Sequence, residues 1–181
     1  MSTEPLPRIT LAPAVTPEQV AAVQGLLVEY AQALGIDLEF QGFSAELAAL
    51  PGPYAPPQGA LWLAQVGGAA AGCVALRPLT PQAPPDLPGL PEPAAAEMKR
   101  LYVRPAFRQL GLGRRLVGAV VQTARAAGYR QLKLDTLAPM AQARALYRQL
   151  GFVEVPPYGS THLPGMRFFA LHLGANGPEG P

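Results

Sequence analysis

The chain has 181 residues, 49% of them hydrophobic, enough apolar surface for one domain with a true core. Its 14 Lys and Arg residues against 12 Asp and Glu give a net charge of +2 and a pI near 8.9, without a long run of one sign. That balance argues against a nucleic-acid partner and leans slightly toward anionic ligands, while the single cysteine, Cys73 in AGCVAL, excludes an internal disulfide and reads as a buried structural thiol.

The opening MSTEPLPRIT has neither a charged n-region nor a continuous apolar h-region. No later segment approaches the roughly 18 uninterrupted apolar residues of a membrane span, so the sequence reads as soluble and cytoplasmic. Residues 8–12 suit a short strand. Thr16-Pro17-Glu18-Gln19 has the form of a capping box with proline at the first helical position, and predicts a helix over 17–34 closed by Gly35. Ser44 as N-cap and Pro51-Gly52-Pro53 as stop predict a second, short helix over 45–50. ALWLAQV and AAAGCVAL flank Gly67-Gly68, a hairpin signature with strands at 60–66 and 69–76. Pro78, Pro81, Pro84, Pro85, Pro88, Pro91 and Pro93 then forbid ladder hydrogen bonding, and 78–93 reads as a long loop.

EMKRLYV predicts a strand, and RQLGLGRRL leads from it into a helix reaching about residue 127. Leu112, Leu116, Val120 and Ala124 recur every fourth residue on its apolar face, with Arg115, Gly118, Gln122 and Arg125 on the wet one. Gly128 stops this helix, YRQLKLDT gives a strand, Pro139 opens a helix to Leu150, Gly151 caps it, and FVEV and MRFFALHL supply two more strands. The order describes a mixed α/β (α+β) domain, one sheet with helices on its faces, with a core over about 8–173 and a disordered tail over 174–181. Alternation along EMKRLYV has one conflict. An unbroken strand would put Glu97 and Lys99 on the face of Leu101 and Val103. One extra residue near Lys99, a β-bulge, turns Met98, Leu101 and Val103 one way and Glu97 and Tyr102 the other.

The glycines of RQLGLGRRL let bare amides at a helix start approach a phosphate, or simply turn the chain. Gly113 is followed by Arg114 and Arg115 rather than Lys-Ser/Thr, which excludes a P-loop. Leu116 stands where a dinucleotide fingerprint needs its third glycine, although Asp135 offers an acidic residue further on.

Arg108-Gln109-Leu110-Gly111-Leu112-Gly113 resembles the R/Q-x-x-G-x-G/A pyrophosphate loop of the GNAT superfamily of acyl-CoA-dependent N-acyltransferases. EMKRLYVRPAFRQLGLGRRLV and ARALYRQLGF extend the resemblance over the family's fourth strand, third helix and later helix-to-strand segment. It implies a mixed, mostly antiparallel sheet of six to seven strands splayed between the fourth and fifth, flanked by about four helices. It implies acetyl-CoA as cofactor, its pyrophosphate on the amides from Gln109 to Arg114 and its pantetheine arm along Leu101, Tyr102 and Val103. The strand bulge is part of the same resemblance.

The resemblance also implies catalytic roles. Tyr147 matches the general acid beside the CoA sulfur, and shares a helix face with Met140 and Ala143. Met140 replaces an asparagine that many relatives use on the arm. Glu97 matches the general base of one branch; the alternative is a glutamate that caps the strand or pairs with Arg100. Arg77, Arg100 and Arg104 at the strand ends, with Tyr158 and His162, are candidates for the acceptor side, against an ordinary reading as surface residues. His162 and His172 have no Cys or acidic cluster beside them, so no metal site is expected. The implied partners are acetyl-CoA and an amine acceptor, for a monomer or homodimer. The competing reading is a non-catalytic CoA-binding module of the same fold.

Overall fold

The computed structural model describes residues 7–79, 94–159 and 162–174. The expectations for the proline-rich loop beyond Leu79 and for the tail beyond Gly174 lie outside the described residues. In chain order the elements are β1 (Ile9–Pro13), α1 (Pro17–Leu34), α2 (Phe43–Ala49), β2 (Ala60–Val66), β3 (Ala69–Pro78), β4 (Ala95–Val103), α3 (Leu112–Ala126), β5 (Gln131–Thr136), α4 (Ala141–Gln149), β6 (Val153–Val155) and β7 (Arg167–His172).

Local chemistry sets most boundaries. At the start of α1 the Gln19 N–H donates to Thr16 Oγ1 at 3.3 Å and the Thr16 N–H donates to Gln19 Oε1 at 3.0 Å, the reciprocal capping box read from the sequence. Helix α2 departs from expectation. It starts after Gly42, without a side-chain cap, and Ser44 lies inside its first turn, where its N–H and its hydroxyl both donate to Glu39 Oε1. Helix α4 begins at Ala141, with Met140 in the N-cap place.

The strands form one sheet in the order β1-β2-β3-β4-β5-β7-β6, antiparallel except for β4 and β5. Between β3 and β4 the register runs Ala75 to Lys99 and then Cys73 to Tyr102, so Arg100 and Leu101 together oppose Val74. The bulge lies just past the Lys99 position expected of it. Arg100 takes a φ of 61°, and among the described residues no other non-glycine has positive φ. With this insertion Met98, Leu101 and Val103 pack toward the cluster of α3, and Tyr102 toward that of α1.

The parallel joint is short: Ala95, Ala96 and Glu97 pair with Gln131, Leu132 and Lys133, and there the pairing stops. Beyond it β4 keeps only β3 as a neighbour and β5 only β7, so their facing edges have no strand partner. The gap is held open by two cores. On one face Leu112, Leu116, Val117, Val120 and Ala124 of α3, all fully buried, pack on Val74, Leu76, Met98 and Leu134. On the other, Val23, Leu26 and Leu27 of α1 pack with Phe43, Leu61, Leu63 and Tyr102. Each buried leucine contributes about 2 kcal/mol. Among the described residues no helix is long and apolar enough to cross a membrane.

Beside the bulge, a Cβ on Gly72 would lie 2.7 Å from the Tyr102 carbonyl oxygen. Gly72→Ala is therefore expected to push β3 from β4 and cost about 1–3 kcal/mol in urea unfolding, with native stability retained as the contrary result.

Candidate functional site

Where β4 leaves β5, a groove of about 550 Å³ runs between β4, the end of α1 and the starts of α3 and α4. It brings together Leu101, Tyr102, Val103, Arg108, Gly113, Met140 and Ala143, residues far apart in sequence that were expected to serve one cofactor. At its mouth, Gly111 with φ 67° enters α3 with no side-chain cap. The Arg115 N–H reaches back to the Gly111 carbonyl, so the amides of Leu112, Gly113 and Arg114 stand ahead of the helical ladder. Leu112 itself is fully buried, its side chain spent on the core. Gln109 and Leu110 sit exposed in the short 3₁₀ turn Pro105–Leu110, and Arg108 Nε donates to the Val103 carbonyl. Arg114 donates to Gln149 at 2.8 Å, tying α3 to α4, while Arg115 is exposed. Uncapped amides at the positive end of a helix fit a diphosphate, and an unpaired strand edge fits an amide-bearing chain. The residues present thus suit a CoA-like molecule.

The groove meets a smaller chamber of about 20 Å³ at Tyr30, Leu101 and Met140. Tyr147 faces this chamber. Its ring is 3% exposed and packs at 5.8 Å from Phe152 and 6.2 Å from Phe169. Burial first, and then the charges of Tyr30 and Asp135, push its phenol well above the ordinary tyrosine range. Tyr147 therefore keeps its proton.

Charged side chains are buried along the same face of β4. Arg77 donates twice to Glu97 Oε2, at 2.9 and 2.7 Å, and the Tyr158 hydroxyl donates to Glu97 Oε1 at 3.2 Å. Glu97 thus has a partner, but it is Arg77 and not Arg100. Neither the groove nor the chamber has Glu97 in its wall. Lys99 reaches across the gap to Asp135 at 3.2 Å and lies 3.8 Å from Glu97. Arg100 turns to α2, where it donates to both oxygens of Glu46, at 3.0 and 2.7 Å, and sits 5.1 Å over the Phe43 ring. Arg104 pairs with Glu29 of α1. The arginines expected to await a substrate are thus engaged with carboxylates. His162 is exposed and pairs with the Tyr158 carbonyl, His172 is exposed, and among the described residues no group of side chains could hold a metal.

Residues 27–152 match the Acetyltransferase (GNAT) family. This chain belongs to that family. An uncharacterized N-acetyltransferase of Schizosaccharomyces pombe is 35% identical over 91% of this chain and 95% of its own. Among solved structures, a GNAT-family acetyltransferase of Staphylococcus aureus superposes with a TM-score of 0.71 at 19% identity, covering 92% of this chain and all of its own. The yncA protein of Salmonella typhimurium, solved with its cofactor acetyl-CoA, superposes with a TM-score of 0.63 at 17% identity, covering 94% and 98%. These two show the GNAT fold, and the curated relatives are named for acetyl transfer.

Within this GNAT domain the sequence reading missed Tyr30, Gln41, Glu46 and Asp135. Gln41 and Glu46 belong to a region where the helix start was misplaced, so their approach to Arg100 was hidden. Asp135 had a signal: Gln131, Lys133 and Asp135 alternate with buried Leu132, Leu134 and Thr136. That marks it as the last polar-face residue of β5.

The Arg100–Glu46 pair fixes α2 to the bulge. Burial works against both ions, but their mutual hydrogen bond and charge outweigh it, lowering Glu46 and raising Arg100. A carboxylate lowered by folding stabilises above its unfolded range and loses this as pH falls through the folded value. Glu46→Gln should cost about 3 kcal/mol at neutral pH, a deficit that shrinks in acid. Urea unfolding of both proteins across pH measures it, and a pH-independent deficit would contradict the assignment.

Proposed function

We propose that this protein transfers an acetyl group from acetyl-CoA to a primary amine by direct attack within a ternary complex. The observation that carries the reading is a buried Tyr147 in the wall of the chamber where the groove meets the open edge of β4. Acetyl-CoA supplies an activated thioester, and the chain's residues do the rest. The amides ahead of the α3 ladder, with Gln109, Leu110, Arg108 and Arg114 around them, hold the pyrophosphate. The backbone of Leu101, Tyr102 and Val103 holds the arm as a strand would, and an N–H at the bulge polarises the acyl carbonyl. Met140 and Ala143 close over the arm through apolar contact. Tyr147 gives its proton to the departing sulfur.

On the acceptor side, Tyr158 and Arg77 hold the Glu97 carboxylate and Arg100 holds Glu46, so their work is to fix the wall against which the amine lies. The proposal takes the chain as one catalytic domain acting in the cytoplasm as a monomer or homodimer, without nucleic acid. Fold likeness to a structure solved with acetyl-CoA supports the choice of donor.

Thiol release from acetyl-CoA, screened against a panel of small amines and peptides, tests the reading. Release is expected with at least one amine, and Tyr147→Phe should lower kcat by about 100-fold while acetyl-CoA affinity stays within a few-fold. Binding of acetyl-CoA with no release from any amine would favour the non-catalytic module instead.

A further inference from the structure

An extra residue in a paired strand can sit at more than one position, and each position turns a different amide to the open edge. In β4 the place is taken by Arg100 and Leu101, opposite Val74. Further along, the Arg104 N–H donates to the Ala71 carbonyl. Counting back from it by the alternation of an antiparallel pair, the Tyr102 amide faces β3, and those of Val103 and Leu101 face the gap. A second contact gives the same direction for Leu101. The Cys73 thiol of β3 donates to the Arg100 carbonyl at 3.7 Å. C=O and N–H point opposite ways across a trans peptide, so the Leu101 N–H of that same unit is directed away from β3. Leu101 lines both the groove and the small chamber, which meet at its side chain, Tyr30 and Met140.

The direction of this peptide rests on a conformation that arginine seldom adopts. Arg100 has a φ of 61°, a region that disfavours any residue with a Cβ and suits glycine. Its side chain compensates. The guanidinium, on a side chain only 3% exposed, donates to both oxygens of Glu46 at 3.0 and 2.7 Å and to Gln41 Oε1 at 3.0 Å, and lies 5.1 Å over the Phe43 ring. Glu46 is held in turn by the Tyr54 hydroxyl, which donates to its Oε1 at 2.8 Å. All these partners come from outside the sheet, from α2 and the short turns Glu39–Gln41 and Gly52–Tyr54 on either side of it. Without them the positive φ at Arg100 loses its compensation, and the peptide between Arg100 and Leu101 is free to turn.

We propose that Glu46 is a positioning residue for acyl transfer: through Arg100 it holds the peptide between Arg100 and Leu101 so that the Leu101 N–H faces the acyl oxygen where groove and chamber meet. This rests on the acetyl-transfer reading above. Negative charge gathers on that oxygen as the amine attacks, and one donor aimed at it beforehand is worth about 100-fold or more in rate. The amides ahead of the α3 ladder and the edge at Val103 do not depend on the clamp. Loosening it therefore acts on kcat and leaves acetyl-CoA affinity in place.

The test is a matched pair of double variants, Arg100→Gly with Glu46→Gln and Arg100→Ala with Glu46→Gln. Both remove the two buried ions together, so neither strands a charge, and both untie α2 from β4 alike. They differ in whether residue 100 accepts a positive φ. With the amine that the thiol-release screen identifies, the alanine double variant should lose about tenfold or more in kcat, acetyl-CoA affinity staying within a few-fold. The glycine double variant should stay within about threefold of the wild type. A second readout needs no acceptor. The infrared carbonyl stretch of bound acetyl-CoA, isotopically labelled at the thioester carbon, should lie lower in the wild type and the glycine double variant than in the alanine one. Should the alanine double variant fail to fold, Arg100→Asn with Glu46→Gln replaces it; asparagine accepts this φ less readily than glycine, and the same order is expected. Equal kcat or an equal stretch in the two double variants would overturn the positioning role while leaving acetyl transfer intact. A wild type that binds acetyl-CoA but acetylates nothing would overturn both.

Discussion

The site depends on one geometric event, the departure of β4 from β5 after the third pair of their joint. A parallel pair that stops there leaves two polar backbone edges facing each other across a gap, and such edges are costly to bury unsatisfied. The bulge at Arg100 and Leu101 sits just past that point, where one inserted residue increases local twist and re-aims every side chain that follows. Arg100 bears the backbone cost of a positive φ, and its guanidinium is anchored by Glu46 and Phe43 from α2. The strained position and the clamp are one device.

Around that gap the charges divide into two kinds. Glu97 with Arg77, and Glu46 with Arg100, are pairs held by two short hydrogen bonds each. Lys99 and Asp135 form the pair that spans the opening between β4 and β5, and they line the chamber together with Arg100. Each of these pairs fixes its elements, because separating it leaves an uncompensated ion in a buried place.

The sequence carried much of this. Fourfold apolar spacing in α3, the reciprocal Thr16–Gln19 cap and the Gly67-Gly68 turn each express local physics, and each matched the structure. The alternation conflict in EMKRLYV even announced the bulge, since charge on a core face needs a cure. What stayed hidden was long-range. Arg100 meets Glu46 across many intervening residues, and nothing near either one names the other. The start of α2 was misplaced because Ser44 sits inside the first turn with its N–H and hydroxyl both given to Glu39, an arrangement fixed by a turn the local signals did not show. Asp135 was weighed only as the acidic residue of a dinucleotide fingerprint, because its place beside Lys99 depends on a neighbour strand that turns away.

The short joint makes the sheet two antiparallel blocks, β1 to β4 and β5 to β7, sharing three rungs. Past those rungs the facing edges have no strand partner among the described residues. An extended, amide-bearing molecule lying in the groove would in this sense be an eighth strand, bonding on one side to β4 and filling the space before β5. Ligand occupancy and fold stability are then linked through mass action. On the proposed reading, the donor would be a removable piece of the protein's own architecture.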